Sequence, residues 1–165
     1  MRNLEARFEA AFIELSRRKL CEDYLSKIKR CLELLSEEDI WWRDHETNNS
    51  IGNLVLHLCG NVRQWIVSGI EGKEDVRNRP AEFAARGSLS KEELLRELEE
   101  TRHEVDETLA RFDVTRFLQK RRIQGFDVTC LEAIFHVVEH FSGHTGQIMF
   151  ITKLRSGKDL RFYNL

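Results

Sequence analysis

The stretch FHVVEHFSGHTGQI, residues 135–148, sets His136, His140 and His144 at steps of four. On an α-helix, residues four apart stand one turn above each other on nearly the same face, so neighbours in this series can offer imidazole nitrogens to a single ion. His136 and His144 would lie ~12 Å apart along the axis at ~1.5 Å per residue, so one ion takes either His136 with His140 or His140 with His144. A third nitrogen must come from another element, and His57 is the other histidine placed on an apolar helical stripe. Three imidazoles with no obvious fourth side chain leave coordination positions for water or substrate, as expected of a catalytic rather than a structural site. Nitrogen donors suit zinc, nickel or another borderline divalent ion. Water on such an ion becomes a hydroxide source near neutral pH, and a bound thiol becomes a thiolate. Against this stands the commoner use of a lone inward histidine as a hydrogen-bonded core residue. His45 and His103 fall on polar stretches and read as solvated.

Other chemistry is weakly signalled. Cys59 follows His57 by two and so faces elsewhere on a helix, and Cys130 is more than two turns from His140, which leaves no Cys-His pair. Cys21, Cys31, Cys59 and Cys130 show no C-x-x-C spacing and read as small buried hydrophobes, not as a disulfide framework or a zinc ribbon. Glu139, next to His140, points roughly 100° away from it on a helix, and no obvious carboxylate shares the histidines' face to act as general base, so the catalytic residues stay unassigned. A net charge of −2 with both signs interspersed gives no field for nucleic acid or an anionic membrane. The longest basic run, Lys120 to Arg122, reads as a solvated loop. Charges at Arg2, Glu5, Arg7, Glu9 and Glu14 interrupt every apolar window near the start, and no window approaches a membrane span; the expected location is the cytoplasm.

The elements that must position these residues are helical. With 165 residues, 41% hydrophobic and 33% charged, and only one proline, the chain suits one all-α domain over residues 1–165. Apolar residues at helical intervals predict helix one from Asn3 to Leu35, bent near SRRK, followed by an acidic segment whose Trp41 and Trp42 cap one end of the core. Helix two runs from Ser50 to Ile70, with His57 and Asn61 on or beside its buried stripe. Residues 72–89 show no sustained periodicity and form a crossover long enough to let helix three run parallel to helix two. Capping boxes at Ser90/Glu93 and Thr129/Glu132 open helix three, to about Phe112, and helix four, from Cys130 to about Arg155 before Gly157. A small hairpin is expected around Gly125. The result is a four-helix bundle in which helices one and four are parallel to each other and antiparallel to two and three. In that arrangement His57, a few turns into helix two, and His144, about three turns before the end of helix four, reach similar depths.

NNSIGNLVLHLCGNVRQW followed far downstream by HVVEHFSGHTGQI closely resembles the DinB/YfiT-like superfamily of four-helix-bundle proteins, and the N-R-P-x-E-F segment from Asn78 to Phe83 extends the likeness to a little-characterised branch. The resemblance covers most of the chain. It implies the crossover bundle, pairing as a homodimer, and a metal triad of His57, His140 and His144, with His136 left behind the ligands or in the core. It also implies either a metal-dependent hydrolase or an enzyme that activates a low-molecular-weight thiol such as bacillithiol, mycothiol or glutathione on a small-molecule substrate. The alternative is a non-catalytic, dimeric metal-binding or interaction module of the same fold. Asn61, Gln64, Trp65 and Gln147 are candidates to surround the site: Asn61 to orient a water, Gln147 to donate to a ligand or a neighbouring helix. Glu139 reads as surface. Arg79 and Glu82 on the crossover are candidates for the mouth, or for an ordinary salt bridge.

Overall fold

The computed structural model describes residues 2–162. The first rod consists of α1 (Arg2–Arg18) and α2 (Tyr24–Glu33), joined by a π-helical turn at Lys19–Asp23, beside the predicted bend. A short α3 (Glu37–Trp41) follows, its first turn capped by the Ser36 hydroxyl, which accepts from Asp39 N at 3.1 Å. The second rod is α4 (Ile51–Val62), continued by another π-helical turn, Arg63–Ser68. Ser50 caps α4 through a box closed by Asn53, a short amide at the position usually held by Glu or Gln. Within the crossover lies α5 (Arg79–Ala84), capped by Asn78 and opened by Pro80. It is one and a half turns long, too short for its periodicity to show in the sequence.

The third rod, α6 (Lys91–Ala110), and the fourth, α7 (Cys130–Ser156), open on the Ser90/Glu93 and Thr129/Glu132 boxes; Gly157 ends α7 in the left-handed region at φ 63°. Between them, β1 (Lys120–Ile123) and β2 (Phe126–Thr129) pair antiparallel around Gln124 and Gly125, both at positive φ, as a two-residue hairpin turn requires. The basic run Lys120 to Arg122 is therefore a strand and not a loop, although Lys120 and Arg122 remain exposed.

Side-chain pairs fix the directions of the rods. Going up α4, Cys59 meets Thr101, Arg63 reaches Glu97 and Glu104, and Glu71 takes the Thr108 hydroxyl, so α6 rises alongside α4. Trp65 packs on His136 while His57 faces His140 and His144, so α7 descends as α4 rises. Arg17 to Asp106 and Lys29 to Glu99 set the first rod antiparallel to α6, and Phe117 bridges Phe12 to the start of α7. The fold is the all-α crossover bundle. Its core is continuous along the rods, with Ile28, Leu32, Leu58, Leu94, Ile134 and Ile148 fully buried. All four cysteines are buried and unpaired by disulfides; burial pushes the Cys21 and Cys59 thiols up to about 12, which removes them as nucleophiles. No helix among the described residues is long and apolar enough to cross a membrane.

Candidate metal centre

The antiparallel pairing of α4 and α7 brings His57, His140 and His144 together. His57 Nε2 and His140 Nε2 are 3.0 Å apart, and one ring nitrogen from each of the three lies within 4.8 Å of the others. Two nitrogens each ~2.1 Å from a common ion stand about 3.0–3.4 Å apart, a range that the His57 and His140 pair meets. Burial and the neighbouring imidazoles His144 and His57 push the His140 pKa down to about 3, and burial also lowers His144. Uncharged imidazoles are the state a metal needs.

His57 is buried, at 6% exposure, and its orientation is set from behind. Its Nδ1 lies 3.0 Å from Glu82 Oε2. A carboxylate only accepts, so Nδ1 carries the proton and the Nε2 lone pair faces the cluster. Glu82 in turn accepts a two-pronged grip from Arg77, Nε to Oε1 at 2.7 Å and Nη2 to Oε2 at 2.8 Å. The 3.1 Å approach of Arg77 Nη2 to His57 Nδ1 closes the triangle, two donors sharing one oxygen. Burial works to raise the Glu82 pKa, but the bonds from Arg77 and His57 outweigh it and hold the carboxyl below its usual range. His144 is held in a matching way: its Nδ1 donates to Gln147 Oε1 at 2.7 Å, which leaves Nε2 free.

The N-R-P-x-E-F segment builds this support. Asn53, at the base of α4, donates to Glu82 O at 2.8 Å and Ala85 O at 3.1 Å, pinning α5 one turn below His57. Phe83 lies against the His57 ring at 4.8 Å, and Arg79 sits over Phe83. Gly60 leaves the space that Glu82 fills, since a Cβ there would collide with Glu82 Oε1. Glu82 is thus neither at a mouth nor paired with Arg79; it is the buried carboxylate that the sequence does not place beside the histidines, and it stands behind His57 and not on the open side.

The other expected residues divide. His136 does not join the cluster. It stacks on Trp65 at 4.1 Å and on His140 at 5.4 Å, and the ring nitrogens that gather with His57 are those of His140 and His144. Gln64 serves the support, accepting from Arg77 Nη1 at 2.8 Å and donating to Asp75 at 2.6 Å. Asn61 is buried, one turn past His57, and its Oδ1 has no hydrogen-bond partner among the described residues. Gln147 accepts from His144 through its Oε1. Glu139, His45 and His103 are exposed, as expected. Arg77 was not foreseen: nothing local distinguishes it from the other crossover arginines. The hairpin tip also reaches the support, with Gln124 contacting Gln64.

A helical bundle of DinB-like type, carrying histidines from two antiparallel rods, is the class that fold and cluster define. A family model described as protein of unknown function (DUF1572) matches residues 7–164, and the chain belongs to that family. Its fold is similar to the crystal structure of a DinB-like protein from Bacillus cereus ATCC 10987, with a TM-score of 0.65 at 14% identity, covering 83% of this chain and 88% of that one. Comparison with curated proteins gives no match.

Proposed function

We propose that the chain, as one domain, is a metal-dependent enzyme in which His57, His140 and His144 hold a divalent ion, zinc or nickel, by three nitrogens. The observation that carries this reading is the convergence of three ring nitrogens, with two of the rings oriented by Glu82 and Gln147 through the far nitrogen. When bound, such an ion supplies Lewis acidity to a water or a low-molecular-weight thiol sharing its coordination sphere, the chemistry of a hydrolase or a thiol S-transferase. The protein's residues do the rest. Glu82 and Arg77 fix the His57 tautomer and compensate each other's buried charge, so that His57 stays in register without drawing on solvent. Phe83, Trp65 and His136 surround the cluster with ring faces, which keeps its local dielectric low. The homodimer implied by the resemblance belongs to the same proposal.

The test is elemental mass spectrometry on tag-free protein beside His57→Ala and His140→Ala. The expected result is near-stoichiometric zinc or nickel in the parent and its loss in both variants. Folded protein that takes up neither ion when offered would overturn the reading. Metal whose removal lowers stability while no hydrolytic or thiol-transfer turnover is ever lost would favour the non-catalytic module.

A further inference from the structure

Beside the histidine cluster, on the side of Gln147, lies a second open space of about 580 Å³ between α7 and the segment that links α3 to α4. Gln147 is its shared wall with the cluster, since the same side chain accepts from His144 Nδ1. Its floor on α7 is made by Gly143 and Gly146, and a Cβ built on either would meet nothing within 4 Å. Glycine inside a helix costs roughly 0.5–1 kcal/mol relative to alanine. Packing does not require glycine at either position.

The polar wall carries one positive charge, Arg43, that no carboxylate among the described residues neutralises. Arg43 Nη2 donates to Asn53 Oδ1 and Ala85 O, both at 2.8 Å, while its Nε is buried without a partner among the described residues. Arg86, outside the space, donates from Nη1 to the same Ala85 oxygen at 2.9 Å and to Phe83 O at 2.8 Å. Neither forms an ion pair with a carboxylate among the described residues. The carboxylate that does line the space, Asp44, is engaged by Asn48 at 2.6 Å. Opposite stand Trp42, Phe150 and Leu154, the last two 68% and 60% exposed.

We propose that this space is the substrate subsite, and that it takes a small carboxylate whose anionic end pairs with Arg43 and whose apolar body lies on Trp42 and Phe150. A monoanion fits better than a phosphate dianion, which Asp44 would repel more strongly. Seated there, the substrate lies one helical turn from the histidines on both α4 and α7. Its role as substrate rests on the metal-site reading; its binding does not.

The experiment is calorimetric titration of chelator-treated protein with benzoate and with its neutral isostere benzamide, repeated on Arg43→Gln, Gly146→Leu and His140→Ala. Benzoate is expected to bind without metal, at least ~10-fold tighter than benzamide, as a charge-assisted hydrogen bond implies. Arg43→Gln removes that preference, Gly146→Leu fills the space and removes binding of both compounds, and His140→Ala keeps the preference. Equal binding of the two compounds, a preference that survives Arg43→Gln, or benzoate binding that appears only with zinc and vanishes in His140→Ala would each overturn the proposal. Should Arg43→Gln fail to fold, unchanged benzoate binding in Gly146→Leu decides against it. Protein that takes up neither zinc nor nickel yet keeps the benzoate preference refutes the metal reading and supports the subsite.

Discussion

His140 shows how three imidazoles can be collected without a collective charge. Its ring lies 5.0 Å from His57, 4.4 Å from His144 and 5.4 Å from His136, and burial with that company takes its pKa from an ordinary 6.5 to about 3. The unfolded chain therefore binds more protons than the folded one between about pH 6.5 and pH 3, and stability must fall as pH is lowered through that window. His136 and His144, also depressed by burial, push the same way. In metal-free protein the stabilisation is complete above pH 6.5, and urea midpoints compared at pH 7.5 and pH 5 should show a clear drop. His140→Asn should flatten the difference. A midpoint that does not move, or that moves equally in the variant, would mean that these rings titrate as if in water.

At the scale of elements, the site depends on a close approach that only a missing side chain permits. α5 lies against α4 at Gly60, where Glu82 Oε1 occupies the space of a Cβ and Arg77 Nε stands 3.1 Å from it. Gly60→Ala should favour the helix backbone by roughly 0.5–1 kcal/mol yet displace the carboxylate from His57. The prediction is a metal affinity lowered by about 10-fold or more, read by chelator competition, with helical content retained. An unchanged affinity would show that the Glu82 contact does not orient His57. This element also marks the limit of legibility. Capping boxes and the i, i+4 histidines are local patterns and can be read from the chain, and so can the hairpin turn at Gln124 and Gly125. The Glu82 to His57 bond joins residues 25 apart through a helix of six residues, and no periodicity announces it. The π-helical turn at Arg63–Ser68, which accompanies the turn of Trp65 toward His136, inserts one residue into a rod that otherwise keeps its pattern, so it too is invisible from sequence.

For the molecule as a whole, the bundle closes its core but leaves apolar side chains open on its outside, one row of them on α1. Leu4, Phe8 and Leu15 on α1 are 72%, 71% and 44% exposed, at steps of four and seven, so they share one face of the helix. A row of large apolar side chains is a face that association would bury. The homodimer proposed above would use it in an isologous pairing of α1 with its copy, because a two-fold axis brings the same row to itself. Such a dimer leaves the histidine cluster free, since none of its three residues lies on α1. Sedimentation equilibrium should give twice the chain mass for the parent protein and the single-chain mass for Phe8→Glu, whose charge would be buried twice per dimer. Metal content should be the same in both forms, because every residue of the cluster and its support comes from one chain. A parent that sediments as a monomer removes the dimer; a Phe8→Glu variant that remains dimeric moves the interface elsewhere; loss of metal on dissociation would mean that the second copy holds the site in shape.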